Sequence, residues 1–124
     1  MARILIVDDD PDCVELLSVY FSTRGHAVLQ AKSGREALER AARDNPDLVL
    51  LDQRMPAVDG VRVVEILRAD ALTAEKPVIL MSAASLAAAS RIFSDDPATR
   101  CIEKPLDFNK LDALCGQLLS AALR

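Results

Sequence analysis

Polar residues stand directly behind four apolar runs. Asp8 and Asp9 follow Ile4-Leu5-Ile6-Val7, and Asp52 follows Leu48-Val49-Leu50-Leu51. Ser82 follows Val78-Ile79-Leu80-Met81, and Lys104 with Pro105 follows a weaker run around Cys101-Ile102. Brought together, three carboxylates, one ammonium and one hydroxyl define a narrow range of chemistry. Bare carboxylates a few ångströms apart repel, and at least one takes up a proton unless a cation intervenes. Oxygen donors without His or Cys suit Mg²⁺, which keeps several waters and takes one or two carboxylates together with phosphate oxygens. A carboxylate is also a nucleophile towards phosphorus, forming an aspartyl phosphate. Transfer of the phosphoryl group then needs its oxygens neutralised by the metal and by a cation such as Lys.

These groups meet only if the runs are neighbouring strands of one sheet. Most runs are continuous rather than alternating, the pattern of parallel strands covered on both faces. A further run, Ala27-Val28-Leu29, ends in Gln30-Ala31-Lys32, which offers no site chemistry. Helix punctuation lies between the runs. Asp10 caps a helix that has Pro11 at its first position and an apolar stripe of Val14, Leu17, Tyr20 and Phe21. Ser33 and Glu36 form a capping box, and Asn45-Pro46 stops the helix it starts. Asp59 caps a third helix from Gly60 to about Asp70, with Val63, Ile66 and Leu67 inward. An Ala-rich helix runs from Ser85 to Phe93. Asp107 caps the last helix, whose inner face is Leu111, Leu114, Leu118 and Leu119. Five strands alternating with five helices predict an α/β doubly wound fold with a parallel sheet and right-handed crossovers. In such sheets ligands bind beyond the carboxyl ends of the strands. No linker or repeat interrupts the pattern, so residues 1–124 read as one domain.

Composition narrows the function. The net charge of −4 lacks the excess of Lys and Arg that a nucleic-acid or anionic-membrane surface needs. No apolar stretch approaches the roughly 20 residues of a membrane helix, and the first run is too short for a signal peptide. Cys13, Cys101 and Cys115 have no paired spacing, so they read as reduced cysteines of a cytoplasmic protein. The single His26 excludes a His-based metal cluster. Of the 19 acidic residues 13 are Asp, a residue of caps, turns and sites rather than helix interiors. Asp8, Asp9, Asp52 and Lys104 leave −2 between them, half the net charge, and one Mg²⁺ neutralises it. Asp10, Asp59 and Asp107 account for three more as caps.

The string Leu51-Asp52-Gln53-Arg54-Met55-Pro56-Ala57-Val58-Asp59-Gly60 lies between Asp8-Asp9 upstream and Met81-Ser82-Ala83 and Lys104-Pro105 downstream. In this arrangement the chain resembles the receiver domain of two-component response regulators, of the chemotaxis type with a single receiver. The resemblance covers essentially the whole chain and implies a flavodoxin-like (βα)5 fold with strand order 2-1-3-4-5. It implies that Asp52 is the phosphoacceptor, attacking a phosphohistidine of a sensor histidine kinase or a histidine phosphotransfer protein. By the same resemblance Asp8 and Asp9 hold Mg²⁺, directly or through water, with Asp52 and the backbone carbonyl of Arg54; Mn²⁺ can substitute. Ser82 turns its hydroxyl towards the phosphoryl oxygens, Lys104 pairs with them, and the bond to Pro105 is cis. The fourth helix, fifth strand and fifth helix form the surface that switches and can dimerise, and the first helix, with Cys13, Leu16, Leu17 and Tyr20, faces the kinase. A downstream output protein or a fused output domain carries the response, while this domain touches neither nucleic acid nor membrane. Its only catalysis is its own phosphotransfer and autodephosphorylation.

Three departures from the family pattern stand out. Cys101, three residues before Lys104, replaces the usual Tyr or Phe that changes rotamer on activation, and a thiol cannot fill that volume. Asp95-Asp96-Pro97-Ala98 replaces the usual Gly-Ala turn, which predicts a stiffer, differently shaped loop into the last strand. Arg54 and Ala84, two residues after Asp52 and Ser82, occupy positions that tune autodephosphorylation. An Arg there shields or pairs with the phosphoryl group and predicts a long-lived phosphorylated state. Two other functions use the same pocket. One is a Mg²⁺-dependent phosphohydrolase with an Asp nucleophile, against which Arg54 stands where the haloacid-dehalogenase pattern wants a second Asp. The other is a receiver-like binding module that is never phosphorylated, against which the full set of Asp8, Asp9, Asp52, Ser82 and Lys104 argues. A flavodoxin-like cofactor binder would need a Gly/Ser/Thr-rich phosphate loop after the first strand, and none follows.

Overall fold

Strands and helices alternate along the chain, in a computed structural model that describes residues 2–83 and 86–122. The order is β1 (Arg3–Val7), α1 (Pro11–Thr23), β2 (Ala27–Ala31), α2 (Gly34–Asp44), β3 (Leu48–Asp52), α3 (Gly60–Ala69), β4 (Val78–Ser82), α4 (Leu86–Ile92), β5 (Thr99–Glu103) and α5 (Phe108–Ala122). The five strands form one parallel sheet in the order β2-β1-β3-β4-β5, the predicted doubly wound arrangement. Ala84, assigned a tuning role above, lies outside the described residues, as does Ser85 at the start of the expected fourth helix.

The continuous apolar runs have a direct cause. Successive strand residues face opposite sides of a sheet, and here both sides are covered. Ile4 and Ile6 of β1 pack with Leu17 and Phe21 of α1 and Leu111 of α5. Leu5 and Val7 pack on the other side with Ala37 of α2 and Val63 and Leu67 of α3. All five residues of β3 and of β4 are buried. At the edge of the sheet only Thr99 and Ile102 of β5 are buried, which is why its run is weak in sequence.

The caps form where Asp or Ser precedes α1, α2, α3 and α5. Asp10 accepts from Asp12 N at 3.0 Å, Asp59 from Arg62 N at 2.9 Å, and Asp107 from Asn109 N at 2.9 Å. Ser33 Oγ accepts from Glu36 N at 3.1 Å, but the returning Glu36 carboxylate accepts from Lys32 N rather than from Ser33. Asn45 ends α2 in the left-handed conformation at φ 47°. Two inward faces differ from expectation. In α3 Val64 is buried and Ile66 only half-buried, because the helix turns Val63, Val64 and Leu67 onto the sheet. In α5 the buried stripe is Leu111, Cys115 and Leu118, with Leu114 and Leu119 at its margins.

The loop from α4 to β5 is held by a charged clasp at the end of the sheet away from Asp52. Arg68 Nε lies 2.8 Å from Asp96 Oδ2, and Arg68 Nη2 donates to Thr99 Oγ1 at 2.7 Å. Thr99 Oγ1 in turn donates to Asp96 Oδ2 at 2.6 Å, and Ala98 N donates to Asp96 Oδ1. Arg68 and Asp96 are only 18% and 21% exposed, so neither is well hydrated once its partner is gone. Burial alone pushes the Asp96 carboxyl up, but hydrogen bonds from Arg68 and Thr99 outweigh it and hold it below its ordinary 3.8. A carboxylate lowered on folding stabilises above its unfolded pKa and loses that contribution as pH falls. Replacing Arg68 by Ala is therefore expected to lower stability by about 2 kcal/mol in urea denaturation at pH 7. The difference from wild type should shrink below pH 3.8; a difference that persists there would place its origin in packing instead.

Candidate functional site

The carboxyl ends of β1, β3 and β5 bring three of the predicted residues into one ion-pair bridge. Lys104 Nζ lies 3.0 Å from Asp8 Oδ2 and 3.1 Å from Asp52 Oδ1. Sheet parity explains the meeting. Asp8 continues the series Ile4 and Ile6, Asp52 continues Leu48 and Leu50, and Lys104 continues Ile102, all on the side covered by α1 and α5. Neighbouring strands in register then place the three groups at one edge. Ser82 belongs to the opposite series, Val78 and Leu80, and is buried at the last rung of β4, where its carbonyl accepts from Lys104 N at 2.8 Å.

Asp9 completes the acidic group. Carboxylate oxygens of Asp8, Asp9 and Asp52 all lie within 4.8 Å of one another, with Asp8 and Asp52 buried and Asp9 exposed. Asp8, 1% exposed, also accepts from Asp10 N at 3.0 Å and from the Cys13 thiol. This environment separates the two buried carboxyls. Burial pushes Asp8 up, but donors from Asp10, Cys13 and Lys104 outweigh it and leave it lowered. Burial and the neighbouring Asp8 charge raise Asp52, and Lys104 offsets that only in part. Burial by itself would lower Lys104, yet its two carboxylate partners raise it, so it stays charged. Burial and Asp8 push the Cys13 thiol up to about 12, which keeps it a donor.

The donor set fits a small hard cation. Three carboxylates converge without a nitrogen or sulfur ligand among them, the chemistry that Mg²⁺ selects. Two of them are bridged by the one ammonium, so a divalent ion entering here meets a net negative group of oxygens.

The remaining predicted residues lie around this centre. Arg54 is exposed on the loop between β3 and α3. Pro105 follows Lys104 across a cis peptide bond. Cys101 is half-buried on the α4 side of β5, where Ser90 hydrogen-bonds its thiol, away from the bridge. Two residues named in the sequence reading have a supporting role that it did not assign. The Cys13–Asp8 contact leaves no signal in periodicity. Gly60 opens α3 where an added Cβ would lie 2.8 Å from Asp52 O and 2.6 Å from Leu80 Cδ1, so only Gly fits behind Asp52.

Comparison with known proteins agrees with this architecture. The profile described as response regulator receiver domain matches residues 4–115. The chain is 36% identical over 119 residues to the DNA-binding dual master transcriptional regulator RpaA of Synechocystis sp., covering 96% of this chain but 49% of that protein. It is 40% identical over 82 residues to Protein PilH of Pseudomonas aeruginosa, covering 66% of this chain and 68% of that one. Among solved structures, the signal receiver domain of a signal transduction histidine kinase from Syntrophus aciditrophicus superposes with a TM-score of 0.88 at 29% identity. That match covers 100% of this chain and 94% of the other. The chain thus spans about half the length of RpaA. Among the described residues no helix is long and apolar enough to cross a membrane. With the matched profile extending from β1 into α5, the chain belongs to the response regulator receiver domain family.

Proposed function

We propose that this chain, residues 1–124, is one phosphorylation-dependent signalling domain in which Asp52 accepts a phosphoryl group from a phosphohistidine. The donor is a sensor histidine kinase or a histidine phosphotransfer protein, and the setting is cytoplasmic. The observation that carries the reading is the Asp8–Lys104–Asp52 bridge at the carboxyl edge of the sheet, beside the exposed Asp9. Asp8, Asp9 and Asp52, with the Arg54 backbone carbonyl, are the residues that would hold Mg²⁺, or Mn²⁺ in its place. When bound, the ion supplies positive charge against which a phosphate group can approach three carboxylates.

A carboxylate oxygen of Asp52 attacks phosphorus. The O–P bond forms as the P–N bond breaks, and the released electron pair returns to the imidazole nitrogen, which takes up a proton. Lys104 already touches Asp52, so it meets the charge that the phosphoryl group adds. Ser82 turns its hydroxyl to the same oxygens, which draws in the end of β4. The loops after β3, β4 and β5 reorder around the new charge, and the face of α4, β5 and α5 passes the change to an output protein or fused output domain, or to a second copy. With Cys101 in place of an aromatic switch, that coupling proceeds without a ring changing rotamer. Water later attacks phosphorus and returns Asp52 to a free carboxylate, and Arg54 on the adjoining exposed loop slows that step.

Incubation with Mg²⁺ and acetyl phosphate, read by intact mass, tests this. A gain of about 80 Da is expected, and it should persist after the reagent is removed. Absence of any gain supports the unphosphorylated binding module, and continuous release of phosphate from many small phosphoesters supports a phosphohydrolase.

A further inference from the structure

Gln53, the residue after Asp52, makes three hydrogen bonds that join β3, β4 and α3. Its backbone N donates to Met81 O at 2.8 Å, one step beyond the last paired residue of β3. Its backbone O accepts from Gly60 N at 3.0 Å. Its side-chain Oε1 accepts from Val61 N at 2.8 Å. A helix begins with N–H groups that have no partner inside the helix. In α3 the first two go to Gln53, and the third, Arg62 N, goes to the side chain of the ordinary cap Asp59, whose carbonyl takes Val63 N. The helix is therefore tied to the strand end that carries Asp52 as well as to its own preceding residue.

Between these two anchors runs the loop 54–59. Its apolar anchors are Met55, which is buried, and Val58, which packs against the same core, while Arg54, Pro56, Ala57 and Asp59 are exposed. Its middle contains Ala57 at φ 68°, in a tight turn closed by Val58 N donating to Pro56 O. At the neck of the loop, Gln53 is the residue that bonds directly to the far end, through Gly60 N and Val61 N. The contact there is close, since a Cβ on Gly60 would lie 2.9 Å from Gln53 Cα.

We propose that Gln53 is a positioning residue for the cation site: its amide oxygen and backbone close the neck of the loop 54–59 and so hold the Arg54 carbonyl in place beside the Asp52 carboxylate. The inference rests on the receiver reading given above, because it assumes that Asp52 and the Arg54 carbonyl share an ion. It differs from a plain capping role in one respect. Loss of a cap weakens α3, whereas loss of a positioning residue also weakens the site.

The test compares three variants of the full chain by Mg²⁺ titration calorimetry, urea denaturation and amide exchange. Gln53→Leu is expected to raise the Mg²⁺ Kd about tenfold, as loss of a partner behind a metal ligand does. Gln53→Glu keeps an acceptor oxygen for Val61 N and should recover most of that loss. Asp59→Ala removes the ordinary cap and should lower stability about as much as Gln53→Leu while leaving the Kd unchanged. In the metal-free protein, Val61 amide exchange should quicken in Gln53→Leu and stay slow in Gln53→Glu. A Gln53→Leu protein that binds Mg²⁺ like wild type, or an Asp59→Ala protein that binds as weakly as Gln53→Leu, overturns the proposal. A wild-type chain that binds no Mg²⁺ overturns the receiver reading and this proposal with it, even when Val61 exchange responds as expected.

Discussion

An Asp52→Asn protein is expected to fold, to gain no mass from acetyl phosphate and Mg²⁺, and to be slightly more stable than wild type when metal-free. An amide oxygen is not a nucleophile towards phosphorus, so loss of labelling should be complete. The stability change has the opposite sign because of where Asp52 sits. Burial and the Asp8 charge raise its pKa, and Lys104 does not restore it. A carboxyl whose pKa rises on folding stabilises fully below its unfolded value and loses that contribution as pH rises through the folded value. Near neutrality the ionised Asp52 is thus a burden that Asn removes, while its oxygen still accepts from Lys104. A gain of about 1 kcal/mol is expected in EDTA, and it should vanish on titration to acid. Added Mg²⁺ should stabilise wild type more than the variant, since a ligand stabilises the state that binds it. Labelling of Asp52→Asn to the wild-type extent would show that another carboxylate is the acceptor.

That reversal, a residue needed for chemistry and unfavourable for stability, is what one expects of a site built to take a cation. Asp8 and Asp52 are buried within reach of each other with one ammonium between them. The apolar strands cannot relax to separate them, because each is fixed by parallel ladders on both sides. The repulsion is therefore held in the fold and is relieved by charge from outside.

Much of this was legible before any coordinates. Continuous runs such as Ile4–Val7 and Leu48–Leu51 announce strands covered on both faces, and an acidic residue straight after each announces the site edge. Period-two parity along the observed strands separates Asp8, Asp52 and Lys104 from Ser82, a distinction the sequence reading did not draw. Helix faces were harder, as with Val64 against Ile66 and Cys115 within the Leu stripe of α5, because two adjacent apolar residues at 100° spacing compete for one inward direction. Least legible were polar contacts made across the junctions between elements. Arg68 meeting Asp96 and Thr99, and Gln53 meeting Val61, depend on how far a polar side chain reaches across a junction. No periodicity records that reach. Cys13 beside Asp8 belongs to the same class.

Replacing Lys104 by Met should produce the largest loss of stability among single changes at the site, confined to metal-free protein near neutral pH. The side chain keeps its length and its stem but loses the ammonium that bridges Asp8 and Asp52. Those carboxylates are 1% and 6% exposed, so water cannot replace the lost partner. Removing one member of a buried charged group costs about 3–5 kcal/mol. Lys104 is itself 25% exposed, which places the expectation at about 3 kcal/mol, the lower end of that range. The pH dependence follows from the directions of the shifts. Lys104 is raised on folding, so its contribution is whole below 10.5 and fades as pH climbs through the folded value. Asp8 is lowered, so its contribution is present above 3.8 and fades as pH falls. The gap between wild type and Lys104→Met should therefore be widest near neutrality and narrow towards both extremes. Urea titrations in EDTA at pH 3, 7 and 11 measure it, and a repeat in Mg²⁺ should close much of the gap at pH 7, because the divalent ion takes over the neutralisation that Lys104 performs. A gap of the same size at all three pH values, or one indifferent to Mg²⁺, would mean that Lys104 stabilises through its stem rather than through the charge it places between two buried aspartates.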